Sequence, residues 1–161
     1  FIHDEFGVCT RNNLVKDDGK SSMYAYMRRI NLEEKIREYG RNLVFQGEFC
    51  GPGIQKNRLG LKEADWYVFN VIEADTMRLV DLDTMLRVCE DLGLKTVPIE
   101  EVGDNFNYTL AELLERAKGK YPSGLDKEGI VIRPVAPEYC RMLGKSLSFK
   151  VLNNDFLAKE K

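Results

Sequence analysis

Three polar residues stand in apolar stretches where water-loving groups need a reason to be: Glu48, Glu128 and Lys150. Glu48 lies in Phe45-Gln-Gly-Glu-Phe49. A carboxylate there can accept hydrogen bonds from the paired hydroxyls of a ribose, or it can simply face water. Gly47 beside it leaves room for a ligand or a second backbone to approach. Glu128 opens Glu128-Gly-Ile-Val-Ile-Arg-Pro134, and the unbroken apolar run at 130–132 predicts full burial behind it. A carboxylate fixed at such a strand mouth can hold a divalent ion against a phosphate. Lys150, in Leu147-Ser-Phe-Lys-Val-Leu152, must either snorkel to water or meet an anion, and a phosphate is a natural one.

The elements that position these groups follow from periodicity. Residues 42–50 alternate strictly: Leu43, Phe45, Gly47 and Phe49 face one way, and Gln46 and Glu48 the other, which predicts a strand broken by Gly51-Pro52-Gly53. Residues 66–72, rich in β-branched and aromatic types, predict a second strand. Residues 6–15 alternate loosely and predict a strand ending in the polar stretch 16–22, with 97–102 a further candidate. Residues 128–133 and 147–152 predict two late strands after a loop at 119–126. Asn31-Leu-Glu-Glu34 reads as a capping box opening a helix over 32–39, closed by Gly40. Thr109-Leu-Ala-Glu112 reads as another, with Leu110, Leu113, Leu114 and Ala117 on one side. A helix is also predicted over 83–92, ended by Gly93. Strands and helices mix without a regular βαβ rhythm, so the expected class is α+β.

Composition narrows the chemistry. The 161 residues, 43% hydrophobic and 31% charged, suffice for one compact core and predict a single domain over 1–161. No apolar run is long enough for a membrane span and no secretory pattern opens the chain, so a soluble, cytoplasmic protein is expected. Cys9, Cys50, Cys89 and Cys140 form no Cys-x-x-Cys pair and sit among apolar neighbours, which predicts reduced packing residues. His3 is the only histidine, so a metal must be held mainly by carboxylates, favouring Mg2+ or Mn2+ over zinc. The net charge of −2 argues against a bulk basic nucleic-acid binder. Local clusters at Arg28, Arg29, Lys35, Arg37 and Arg41, and at Lys56, Arg58 and Lys62, are compatible with phosphate contacts or with solvated faces.

Taken in order, Phe6-Gly-Val-Cys-Thr-Arg-Asn12, Phe45-Gln-Gly-Glu-Phe49, Tyr67-Val-Phe-Asn-Val71, Lys127-Glu-Gly-Ile-Val-Ile-Arg133 and Ser148-Phe-Lys150 resemble five successive motifs of the covalent nucleotidyltransferases. Thr10-Arg-Asn12 and Gly47-Glu-Phe-Cys-Gly-Pro-Gly-Ile-Gln55 resemble the ATP-dependent RNA ligases, in the branch whose nucleotidyltransferase domain follows an N-terminal OB-like domain. The resemblance spans nearly the whole chain. It implies a mixed or antiparallel-sheet adenylation domain of the ATP-grasp-like ligase type. It further implies that Arg11 contacts the ribose or phosphate side of ATP, Glu48 the ribose hydroxyls and Phe69 the adenine. Glu128 would hold the catalytic metal, and Lys150 would neutralise the α-phosphate. Two positions depart from the pattern: Asn70 stands where members often carry aspartate, and Ser148 and Leu152 flank Lys150 where many carry a second lysine.

One stretch spells two further motifs. Gly19-Lys20-Ser21 is the tail of a phosphate-binding loop, but the required first glycine is Leu14. Lys16-Asp-Asp-Gly19 has the Lys-x-Asp-Gly form of the nucleotidylated lysine. It follows the Arg11 motif, whereas the family's nucleophile precedes it, and two neighbouring aspartates favour a charged amine over a nucleophilic one. Lys16 is therefore expected to be a decoy, with the true lysine upstream of Phe1, in a strand that 1–4 continues. The chain then corresponds to an N-terminally truncated adenylation domain. The function implied is ATP-dependent joining of RNA 3′-hydroxyl and 5′-phosphate ends, on nicked or duplex RNA. The alternatives are a DNA ligase or RNA-capping relative, and a non-catalytic nucleotide- or RNA-binding module.

Overall fold

A computed structural model describes residues 5–159, so the expected strand at 1–4 lies outside the described residues. The fold is mixed α/β with mostly antiparallel pairing. The chain divides into two compact units, one formed by residues up to Phe49 and Ala64–Val97, the other by Cys50–Glu63 and the residues from Pro98 onward.

In the first unit, α1 (Ser22–Arg29) begins where the Ser21 hydroxyl accepts the Tyr24 N–H, and α2 (Leu32–Tyr39) ends at Gly40, whose φ of 71° suits a residue without a side chain. Asn31 does not cap α2 as expected. Its backbone is left-handed, and its amide instead donates to the Glu34 carboxylate, side chain to side chain. The sheet runs β1 (Leu43–Cys50), β2 (Asp65–Glu73), β3 (Arg78–Leu79), with β4 (Lys95–Thr96) parallel to β2. The Asp81 carboxylate caps α3 (Leu82–Asp91). Leu43, Val68, Val71, Ile36 and Val88 are among the fully buried side chains of this core.

The expected strand at 6–15 is only a tight reversal, with a bridge between Cys9 and Leu14 and the Thr10 N–H donating to the Asn13 carbonyl over 2.8 Å. A loose alternation with Asn12 and Asn13 at its centre folds back on itself before a ladder can grow. The strand expected at 97–102 is displaced to β4, because Leu94 and Lys95 follow directly on the end of α3 and Val97 makes the last bond to Val68.

In the second unit, α4 (Leu110–Arg116) carries the complete capping box of Thr109 and Glu112. Leu113 and Ala117 are buried, but Leu110 is not on the packed side; it is 71% exposed. Strand β5 (Gly129–Ile132) pairs antiparallel with β8 (Phe149–Leu152), and between them a hairpin is formed by β6 (Tyr139–Cys140) and β7 (Lys145–Ser146). The full burial expected at 130–132 is not found: Val131 is 54% exposed, since a two-stranded ribbon packed by α4 covers one face only. Short α5 (Asn154–Lys159) closes the described residues. Of the cysteines, Cys89 alone is buried and its thiol is pushed up to about 11 by that burial, while Cys9 is exposed, contrary to the expectation that all four pack; none is in a disulfide. No helix among the described residues is long and apolar enough to cross a membrane.

Candidate nucleotide and phosphate sites

Two of the three residues expected on nucleoside duty share a sheet face in the first unit. A Cβ on Gly47 would lie 2.5 Å from the Trp66 indole nitrogen and 2.6 Å from the Tyr67 carbonyl, so of the two expectations for that glycine the close approach of a second strand is the one found. This contact puts Trp66 on the Gly47 side, with Phe45 edge-on to it. Glu48 takes the opposite side of β1 and is exposed. Along β2 the buried residues are Trp66, Val68 and Val71, so the two-residue alternation slips to three, as at a bulge. Phe69 and Asn70 sit in that slip. Phe69 lies opposite Val68, partly exposed, and the Asn70 amide donates to Gln46 Oε1 over 2.7 Å on the Glu48 side. The Asn70 that departs from the motif thus serves as a cross-strand link. Arg11 lies elsewhere in this unit, exposed in the bend of the 9–14 reversal.

The Lys-x-Asp-Gly stretch is spent on its own turn. The Asp17 carboxylate pairs with Arg28, Asp18 Oδ1 accepts the Lys20 N–H over 3.0 Å, and Gly19 takes a φ of 75°. Ser21, the end of the half P-loop, is the cap of α1. Lys16 is exposed.

In the second unit the residues assigned to metal and phosphate come together. Lys150 Nζ lies 2.9 Å from Glu128 Oε2, so the strand lysine has met an anion, one supplied by the chain. Both side chains are about half exposed, and such pairs contribute under about 1 kcal/mol to stability. Their meeting therefore matters to the site more than to the fold. Arg58 Nε stands 3.9 Å from Glu128 Oε1, too far for a hydrogen bond but close enough to bias the carboxylate.

What fixes Glu128 was not read from the sequence. Asn153 is fully buried; its amide donates to the Lys127 carbonyl over 2.9 Å and its backbone N–H donates to the Glu128 carbonyl over 2.9 Å. Its Oδ1 meanwhile accepts the Asp155 N–H at the start of α5. Gly129, with φ 145°, lies against β8 so closely that a Cβ would meet the Val151 carbonyl at 2.0 Å. Arg58 is held in turn: its guanidinium lies 4.7 Å from the Phe156 ring centre, and its carbonyl accepts from the Ser123 hydroxyl. It emerges from a turn, Gln55–Asn57, in which three successive non-glycine residues have positive φ. Such conformations cost about 1–3 kcal/mol each. The Asn57 side chain offsets part of that by bonding both backbone groups of Leu61, at 2.8 and 3.0 Å. The signals that could have found this turn and clamp were Gly-Pro-Gly-Ile-Gln-Lys-Asn57 and the doubled Asn153-Asn154 after an apolar strand.

Among the described residues no group of three or more His, Cys, Asp or Glu could hold a metal. Glu128 fits a magnesium-like ion nonetheless. Its Oε1 makes no hydrogen bond to Arg58 at 3.9 Å, and ions of this kind take one or two protein carboxylates and complete their shell with phosphate oxygens and water.

A family model described as RNA ligase matches residues 1–152. Among solved structures, Naegleria gruberi RNA ligase with pyrophosphate is 29% identical, with a TM-score of 0.81 over 98% of this chain and 46% of that one. A lysine-to-alanine mutant of the same ligase with ATP and Mn gives 29% and 0.82 over 97% and 46%. A lysine-to-methionine mutant with AMP and Mn gives 29% and 0.82 over 98% and 46%. The chain thus spans less than half the length of these structures. With the motifs in order on the strands that a single family model covers from residue 1 to residue 152, the chain belongs to the RNA ligase family.

Proposed function

We propose that this chain is most of the adenylation domain of an ATP-dependent RNA ligase, of the ATP-grasp-like ligase type, with both compact units belonging to that one domain. The observation that carries the reading is the Glu128–Lys150 pair at 2.9 Å, with Glu128 immediately ahead of β5 and Lys150 on its partner β8, each residue lying in the motif expected to carry it. Support for one domain comes from the family model running without a break through both units.

The parent reaction is three in-line displacements at phosphorus. A lysine amine attacks the α-phosphorus of ATP and expels pyrophosphate, AMP passes to an RNA 5′-phosphate, and a 3′-hydroxyl then displaces AMP to seal the strand. Little covalent work falls to the rest of the protein; positioning and charge neutralisation carry the rate. Glu48 accepts from the ribose hydroxyls, Phe69 stacks on adenine, and Arg11 meets the ribose or phosphate side. An ammonium has three donors, so Lys150 can keep Glu128 and still bind an α-phosphate oxygen. Arg58 supplies the further cation that relatives obtain from a second lysine where this chain has Ser148 or Leu152. Mg2+ or Mn2+ held by Glu128 would supply additional positive charge to the phosphate; the Naegleria structures with ATP or AMP contain Mn.

Motif order puts the nucleophilic lysine ahead of Arg11 in the parent protein, in an upstream segment, with an OB-like domain further ahead. Its substrates are RNA ends, in nicked or duplex RNA, and its place of action is the cytoplasm. The test is sealing of a nicked RNA duplex by the parent enzyme with ATP. Glu128→Ala is expected to leave no sealed product, and sealing at the wild-type rate by that variant would remove Glu128 from the machinery. Running GTP beside ATP, and DNA beside RNA ends, separates capping and DNA-joining relatives.

A further inference from the structure

The ladder of β5 and β8 that carries Lys150 is interrupted by a hairpin with no assigned role. Residues 133–148 leave β5 after Ile132 and rejoin β8 at Phe149. The hairpin stem pairs Tyr139 with Ser146 and Cys140 with Lys145, braced by the Leu147 N–H donating to the Glu138 carbonyl over 2.7 Å. Its tip is a turn at Arg141–Gly144 whose side chains reach solvent: Met142 is 97% exposed, Leu143 54% and Tyr139 69%. Arg141 and Lys145 are exposed beside them.

Such a tip is costly for an isolated surface, because exposed apolar side chains gain nothing until they are covered. The flanking charges indicate what covers it. The chain as a whole is −2, yet this segment carries Arg133, Arg141 and Lys145 against Glu138 alone. Cations around an aromatic and a slim apolar tip match a nucleic-acid strand, with cations on phosphates and the tip on sugar and base surfaces. The ladder gives the reach. Strands rise about 3.3 Å per residue, so the Ile132 end lies roughly 10 Å from the Gly129 end next to Glu128.

We propose that the β6–β7 hairpin is an RNA-binding finger that grips the substrate several nucleotides from the joined ends, through Arg141 and Lys145 on phosphates and Tyr139 and Met142 on the strand between them. This rests on the RNA-joining reading above and adds a contact surface to it.

The test is binding of a fluorescent nicked RNA duplex by the 161-residue chain, by anisotropy, from 50 to 200 mM KCl. Three variants are compared with wild type: Arg141→Ser with Lys145→Ser, Tyr139→Ser with Met142→Ser, and the charge-preserving Arg141→Lys with Lys145→Arg. Each phosphate contact adds about 0.7–0.9 to the slope of log K against log salt. The double-serine charge variant is therefore expected to lose about 1.4 to 1.8 from that slope, and the charge-preserving one to keep it. The Tyr139 and Met142 variant is expected to weaken binding severalfold at every salt concentration with the slope unchanged. Wild-type binding with the same slope and affinity in all three variants overturns the finger and leaves the ligase reading standing. No RNA binding by wild type, with ATP still raising its melting temperature, overturns both the finger and the RNA assignment. Sedimentation of each protein is run alongside: a self-association abolished by the variants, with RNA affinity unmoved, makes the hairpin a protein interface and overturns the proposal.

Discussion

Glu48 and Phe69 stand on a sheet whose other face is packed by Leu43, Trp66 and Val68, whereas Glu128 and Lys150 stand on a two-stranded ribbon with little behind it. The first core gathers fourteen buried side chains among the described residues; the second gathers Leu113, Ala117 and Val151. At about 1.5–3 kcal/mol for a fully buried aliphatic side chain, apolar burial alone can hold the sheet face of Glu48 and Phe69 in place. It cannot do so for Glu128 and Lys150. There the work falls to directional polar contacts: Asn153 on the backbone either side of Glu128, Phe156 under Arg58, Lys159 on Asp126 and Lys127 on Glu100. One face is positioned by area, the other by hydrogen bonds and charge. Polar groups lost from the second should displace the site, while the first should tolerate loss of its exposed residues without losing the fold.

The largest effect expected from this contrast is at Asn153. Asn153→Ala removes the partners of the Lys127 carbonyl and the Asp155 N–H, two partly buried hydrogen bonds worth about 0.5–1.5 kcal/mol each. It should lower the melting temperature and cut sealing by the parent enzyme together, through misplacement of Glu128. Asn153→Asp, which keeps the acceptor for Asp155 but turns a buried carboxylate oxygen onto the Lys127 carbonyl, should cost at least as much. Equal behaviour of wild type and alanine variant in both measurements would break the claim that polar contacts hold this site.

A smaller and more selective effect is expected at Phe69. Stacking on a base is worth about 1–3 kcal/mol, so Phe69→Ala should weaken ATP binding by roughly five- to 150-fold in titration calorimetry, with Phe69→Trp close to wild type. The melting temperature without nucleotide should move little, because Phe69 is not among the buried core residues. A large loss of stability with unchanged ATP affinity would make Phe69 a packing residue and reverse the comparison.

The smallest effect concerns acid. Asp65 is held below the usual carboxylate range: burial pushes it up, but hydrogen bonds from Lys95, Tyr26 and the Trp66 N–H outweigh it. The Tyr26 hydroxyl, 2.8 Å from Asp65, is pushed up to about 12 by burial and by that bond. A depressed carboxylate stabilises the fold above its unfolded value, near 3.9, and that stability is lost as pH falls through the folded value. Melting temperatures from pH 5 to pH 2.5 should therefore fall less steeply for Asp65→Asn than for wild type. Parallel curves would remove Asp65 from the acid response of the first unit.

Legibility followed the same division. The β1 strand, its Glu48 face, α3 and the Thr109 capping box could be read because local rules fixed them: strict alternation, helical spacing closed by a glycine, and Thr and Glu three residues apart. Helix α1 was missed, since Ser21 was read as part of a polar run although it caps a turn bearing Tyr24, Tyr26 and Met27. The burial at 130–132 was overestimated because an apolar run does not say how many faces a neighbour covers. The β2 slip, which brings Asn70 to Gln46, depends on pairing with β1 and has no local signature. Glu128 and Lys150 were visible by type and motif. Asn153 and Arg58, which hold or bias Glu128, act across long sequence separations and could be found only once the chain had folded.

The most direct test of the central claim is peptide-mapped mass spectrometry of the parent enzyme after incubation with ATP and Mn2+. One AMP adduct is expected, on a lysine ahead of the Arg11 segment, with Lys16 unmodified. An adduct on Lys16 would overturn the decoy reading and make this chain its own source of the nucleophile, and the absence of any adduct would contradict covalent nucleotidyl transfer altogether.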